Sequence, residues 1–268
     1  MKAFSSTPVR AITATFAREF VSYRINRFLH LHVGLMLVIG VLALLAPPEA
    51  ASPATAWWVL NGVIYVASLS ALLFGLSSAQ AEAEEFALLF THPLRVGCWV
   101  AGKGAGLACV VVPAAALLVL PVLMTSGFSA VLLGAAGAAA AVSVLLAWIG
   151  LALGLWIQDA VRGLIAALVV WCGLLFGIDL LLILIGGSPW IHENPVPWVS
   201  ALMLSPLDAY RVTLLFVVER AAFGGSNLHP LTQWWLDHPV AWLGLCLVGW
   251  STAVAFVAVW GASYRRTR

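Results

Sequence analysis

Six runs of apolar residues, each long enough to cross a lipid bilayer, leave this chain few folds to choose from. They lie at about 28–46, 57–78, 104–125, 130–157, 164–186 and 239–261. A crossing helix needs about 20 residues, mostly apolar. Inside hydrocarbon every backbone N–H and C=O must be bonded within the protein, so runs of this length become helices. Only 9% of the residues are charged, against roughly 25% in soluble proteins. The mean hydropathy is +1.03. The 268 residues therefore read as all-α: one polytopic bundle spanning 1–268, with six transmembrane helices and little room for a soluble domain.

The basic residues orient the bundle. With both termini on one side, that side holds Lys2, Arg10, Arg18, Arg24, Arg27, Arg95, Lys103, Arg162, Arg265, Arg266 and Arg268, and the other holds only Arg211 and Arg220. Positive charge marks the cytoplasmic side. The expectation is a membrane protein with both termini in the cytoplasm. The acidic residues divide evenly, with Asp179 inside the fifth run. Residues 33–45 followed by Ala46-Pro47-Pro48 imitate a signal peptide, but the flank before them is long and contains Glu19. The run reads as an uncleaved first span.

Residues 1–27 read as an interfacial helix. Val9, Ile12, Phe16, Phe20, Tyr23 and Phe28 recur at helical spacing, with Arg10, Arg18, Arg24 and Arg27 largely elsewhere, which suits a helix lying along the leaflet. The segment 187–238 is the one sizeable outer region. Its apolar stretch 201–220 is too interrupted for a confident span and reads as a re-entrant or surface-lying helix pair. Within it Ser205 and Pro206 mark a helix start. Asp208 and Arg211, three apart, are placed to pair locally.

Several motifs fall short of chemistry. Gly97-x4-Gly102-Lys103-Gly104 misses the phosphate-binding pattern, because Gly104 brings no hydroxyl for Mg²⁺ and no strand precedes it. Lys103 reads instead as a headgroup anchor of the third span. Gly150-x-x-x-Gly154 and the alanines around it read as low-specificity packing, and Pro113 and Pro121 as bends. Neither the six histidines nor the four cysteines show metal-ligand or disulfide spacing. No nucleophile motif and no nucleic-acid signature is present. Asp179 within a span is expensive, so it is expected to face a polar partner or cavity.

The polar island Ala81-Glu-Ala-Glu-Glu-Phe-Ala-Leu-Leu-Phe-Thr-His-Pro-Leu-Arg95 stands apart. Glu82, Glu84, Glu85 and Phe86 read either as part of a solvated loop or, given the apolar residues that follow, as a short amphipathic helix at the membrane surface ended by Pro93. Exposed carboxylates beside apolar residues suit docking into a partner's groove. The whole loop is placed at 79–103.

In this order the features resemble the ABC-2-type permeases, and among them the NosY-like branch. The resemblance rests on residues 80–110, on the spanning aspartate of Phe176-Gly-Ile-Asp179, and on Leu204-Ser-Pro-Leu-Asp-Ala-Tyr-Arg-Val212. Ser205 stands where asparagine is expected in that family. The resemblance implies a homodimer in the lipids of a bacterial inner membrane, each subunit bound to a NosF-like ATPase that holds ATP and Mg²⁺, with a NosD-like periplasmic partner outside. It implies that this chain is not itself an enzyme and binds no cofactor. Glu82, Glu84, Glu85 and Phe86 would form the ATPase-coupling helix. Asp208, Tyr210 and Arg211 would form the outer re-entrant element. The implied role is export or signalling across the membrane for copper-site maturation of nitrous oxide reductase. A general ABC-2 exporter of lipids or drugs, and a membrane-embedded enzyme or assembly factor without an ATPase, remain as alternatives.

Overall fold

The computed structural model describes residues 8–45, 53–82, 95–126, 130–218 and 229–267. Throughout them the regular structure is helical. The order is α1 (Pro8–Ser22), a 3₁₀ turn (Tyr23–Ile25), α2 (Arg27–Ala43), α3 (Pro53–Asn61), a π-helical stretch (Gly62–Ala67), α4 (Ser68–Gln80), α5 (Val96–Ser126), α6 (Ala130–Trp156), α7 (Ala160–Ile185), α8 (Pro189–Glu193), α9 (Pro195–Leu204), α10 (Pro206–Val218), α11 (Pro230–Asp237) and α12 (Pro239–Thr267).

Among the described residues five helices are long and apolar enough to cross a bilayer alone: 57–80, 96–121, 133–156, 160–185 and 239–266. Helix α2 has 17 residues, at the short end of the crossing range, and with the bent pairs the candidate spans among the described residues number from five to seven. Two bent pairs complete the picture. Helix α1 with its 3₁₀ turn meets α2 at 75°, and α9 meets α10 at 101°. The chain is an all-α polytopic membrane protein with an entry helix set across its first span and a broken helix pair late in the chain.

The entry helix divides its residues differently from the sequence expectation. Ala11, Thr15, Glu19 and Tyr23 are buried, while Val9, Phe20, Val21 and Ile25 are exposed. The apolar stripe is therefore split: Tyr23 joins the core, Ile12 and Phe16 are half-buried, and Val9, Phe20 and Phe28 are exposed. Asn26 makes the turn. Its side chain accepts from the N–H groups of Phe28 and Leu29, capping α2, and its amide donates to Ser77 Oγ at 3.2 Å.

The core is built on α4 and α6. A Cβ on Gly75 would lie 1.9 Å from the Ala147 carbonyl oxygen, and one on Gly150 would lie 1.9 Å from that of Leu72. The two backbones touch, as small residues permit in lipid. Gly150 and Gly154 are thus specific contacts, correcting the reading of this stretch as loose packing. Helix α5 runs unbroken through Pro113 and Pro121. Pro121 has no N–H for the Leu117 carbonyl, and Gly40 of α2 packs directly on that oxygen.

Several polar groups in the core are paired across helices. His32 Nδ1 lies 2.7 Å from Ser70 Oγ. Trp171 of α7 donates to Ser68 Oγ at 2.9 Å, and Ser68 in turn donates to the Ile64 carbonyl inside the π-helical stretch. The break between α9 and α10 is satisfied from α12: Trp242 Nε1 donates to Met203 O at 2.9 Å and Trp250 Nε1 to Leu204 O at 2.8 Å. Irregular backbone is tolerated at membrane depth when protein groups satisfy it.

One end of the bundle gathers most of the charge. Gln80 donates to the carbonyls of Ile157 and Asp159 at the α6–α7 turn. Trp156 donates to Val257 O and stacks on Tyr264 near the end of α12. Glu82 meets Arg18 of α1. The entry helix and the last turns of α12 therefore lie at the same end.

Candidate functional site

At that end three elements bring ionisable side chains into the protein interior. Helix α1 supplies Glu19, with Arg18 at the partly exposed edge, the turn after α4 supplies Glu82, and α5 supplies Lys103. Lys103 Nζ lies 2.8 Å from Glu19 Oε2 and 3.2 Å from Glu82 Oε2. Arg18 Nη2 lies 3.4 Å from Glu82 Oε1. Lys103 is 0%, Glu19 1% and Glu82 7% exposed. Lys103 was expected to reach the headgroups. Instead it is wholly buried, with its ammonium 5.7 Å from the Trp99 ring centroid.

The local sequence explains the burial. Gly102 lets α1 lie directly on α5; a Cβ there would come within 2.7 Å of Thr15 Cβ and 2.8 Å of the Ile12 carbonyl. Gly104 gives the same access to Trp148. Flanked by two glycines, Lys103 is walled in by close neighbours and must find its counter-charges inside. Isolated charges are not tolerated in such a place.

Two carboxyls face one ammonium, so their protonation differs. Burial, and then hydrogen bonding to Glu19, push Glu82 up to about 7. Burial also works to raise Glu19, but hydrogen bonding to Glu82 and the charge of Lys103 hold it below the usual carboxylate value. A proton on Glu82 donated to Glu19 fits this arrangement, since Glu19 Oε1 otherwise lacks a hydrogen-bond partner and Glu82 Oε2 has the Lys103 ammonium 3.2 Å away. Burial, then the charge of Glu19, push the neighbouring Tyr23 hydroxyl well above its ordinary value.

A second cluster joins α7 to α10. Arg211 grips Asp179 with both terminal nitrogens, at 2.8 and 2.9 Å. Its Nη2 also lies 3.0 Å from Asp208 Oδ1. Ser205 Oγ accepts from the Asp208 N–H at 3.4 Å, so the expected helix start and the expected local pair are both present. Asp208 is buried, whereas the Asp179 and Arg211 side chains are about one-third exposed, at 36% and 32%. Tyr210 is fully buried in the core.

The sequence-derived candidates are thus dispersed. Asp179, Asp208 and Arg211 come together, and Glu82 sits in the other cluster. Glu84, Glu85 and Phe86 lie outside the described residues. Glu19 and Lys103 were not singled out as a site. Their signals were present: Lys103 between two glycines, and a narrow Ala11-Thr15-Glu19 stripe at i, i+4, i+8 on α1. Among the described residues no three of His, Cys, Asp and Glu converge on a possible metal position.

No family model matches the chain. Over 224 residues the chain is 31% identical to the probable ABC transporter permease protein NosY of Pseudomonas aeruginosa, covering 77% of this chain and 78% of that protein.

Proposed function

The chain belongs to the NosY-like family of ABC transporter permeases, and on that premise we propose that it couples a separate ATPase to events on the opposite face of the membrane. The observation that supports this most is the position of Glu82. It opens the segment assigned to ATPase docking, and it is tied through Lys103 and Arg18 to α5 and α1. A push on the docking segment therefore reaches three elements at once. From α4 it passes into α6 through the touching backbones at Gly75 and Gly150. Packed interfaces of this kind shift between discrete arrangements rather than deforming gradually.

In this reading the charge-rich end faces the cytoplasm, in keeping with the excess of basic residues there. A NosF-like subunit binds ATP and Mg²⁺ and docks on Glu84, Glu85 and Phe86. Two copies of the permease work as a dimer. The outer element, held by Asp179, Asp208 and Arg211, acts on a NosD-like periplasmic partner. The complex serves copper-site maturation of nitrous oxide reductase.

Replacing Glu84 and Glu85 together by Lys tests the docking role. The expected outcome is a folded permease that no longer retains or stimulates the ATPase. Unchanged complex formation and unchanged stimulation would remove the docking assignment.

A further inference from the structure

A cavity of about 470 Å³ opens where the entry helix turns into the first span. That volume lies within the range of small-molecule sites. Arg18, Arg27, Asn26 and Ser77 give it polar walls, Phe28 lines its apolar side, and Lys103 and Glu82 form its floor. The cations are Arg18, Arg27 and Lys103 and the anion is Glu82, so the wall carries excess positive charge whether or not Glu82 holds a proton. Glu82 is already matched by Lys103 and Arg18. Arg27 is exposed and has no ion-pair partner among the described residues. The first N–H groups of α2 are taken by the Asn26 side chain, so the cavity offers an anion the Arg27 guanidinium first, with the accessible part of Arg18 beside its Glu82 contact.

The setting selects the kind of anion. Phe20, Val21, Ile25 and Phe28 are exposed around the same elbow, where a helix set at 75° to the first span lays an apolar surface beside basic residues. That combination belongs to a helix at the boundary of headgroups and acyl chains. We propose that the elbow cavity binds the phosphate of an anionic phospholipid, with Arg27 and Arg18 on the phosphate and Phe28 and Ile25 against the glycerol and upper acyl chains. The lipid would rest on Glu82 and Lys103, at the root of the segment assigned to docking. Binding itself requires no ATPase.

The test uses the full-length chain, purified and delipidated in detergent, and native mass spectrometry with dioctanoyl phosphatidylglycerol, dioctanoyl phosphatidylcholine or inorganic phosphate. The expected result is retention of phosphatidylglycerol in clear preference to the other two. Arg27→Gln should weaken it about five-fold, the effect of one basic residue at an anionic surface. Arg10→Gln removes the same charge from α1 away from the cavity and should leave binding unchanged. Equal binding of phosphatidylcholine, or an equal loss in both variants, would overturn the site. Equal occupancy by inorganic phosphate would make it a free-anion site and overturn the lipid assignment.

Discussion

Lys103 Nζ and Glu19 Oε2 are 2.8 Å apart, with both side chains only 1% exposed. This pair fastens the entry helix to the third span across 84 positions of sequence. Breaking a buried pair from one side leaves an uncompensated charge, which costs about 3–5 kcal/mol. Lys103→Met should therefore destabilise the protein by that order, read as a loss of thermal stability in detergent. Adding Glu19→Gln and Glu82→Gln to Lys103→Met should recover most of the loss, because no buried charge then remains.

The carboxyl pair gives a pH dependence of definite sign. Glu82 is raised from 4.5 to about 7 in the folded protein. Between those values the folded state holds a proton that the unfolded chain has released, so stability falls as pH rises through that window. Glu19 is lowered, so its contribution is present above the ordinary carboxylate value and fades as pH falls toward its folded value. Thermal unfolding from pH 5 to pH 8 should show wild type losing stability with rising pH and Glu82→Gln much flatter. Parallel curves for the two proteins would exclude the assignment.

At the other cluster the two partners of Arg211 are unequal. Asp179 is partly exposed, whereas Asp208 is buried with 4% of its side chain accessible. Asp179→Asn leaves Arg211 its pair with Asp208 and keeps a carbonyl to accept from it, so it should cost less than Arg211→Ala. Arg211→Ala strands the buried Asp208 and should cost about 3 kcal/mol or more. Denaturation of the two variants side by side checks the order; a larger loss in Asp179→Asn would contradict it.

The start of α10 was legible in the sequence because its determinants are local: Ser205 caps, Pro206 opens the first turn, and Asp208 pairs three residues on with Arg211. Asp179 could be flagged as costly in a span, but its partner lies 32 residues away, beyond any periodic pattern. Lys103 was misread for a physical reason. A lysine near a span end has the same local signature whether it reaches the headgroups or pairs inward. Only the arrival of α1 over Gly102 decides between them. The π-helical stretch at Gly62–Ala67 was equally hidden, since it answers to packing and to Ser68 rather than to composition.

Helix contact by backbone sets a sharp contrast among the glycines. Gly150→Ala would place a methyl 1.9 Å from the Leu72 carbonyl oxygen, whereas Gly134 has nothing within 4 Å of a built Cβ. Gly150→Ala should force α4 and α6 apart and cost about 2 kcal/mol or more, as overpacking does. Gly134→Ala should be neutral or stabilising by up to about 1 kcal/mol, from helix propensity. Comparing their unfolding temperatures tests whether this spine is as tight as described.

The most direct test of coupling to a separate ATPase is recovery of the tagged protein from native membranes in mild detergent, with its partners identified by mass spectrometry. The account predicts a Walker-motif ATPase in equal amount with the wild-type chain, absent when Glu84 and Glu85 are both replaced by Lys. Recovery of the permease alone, under several detergents, would contradict it.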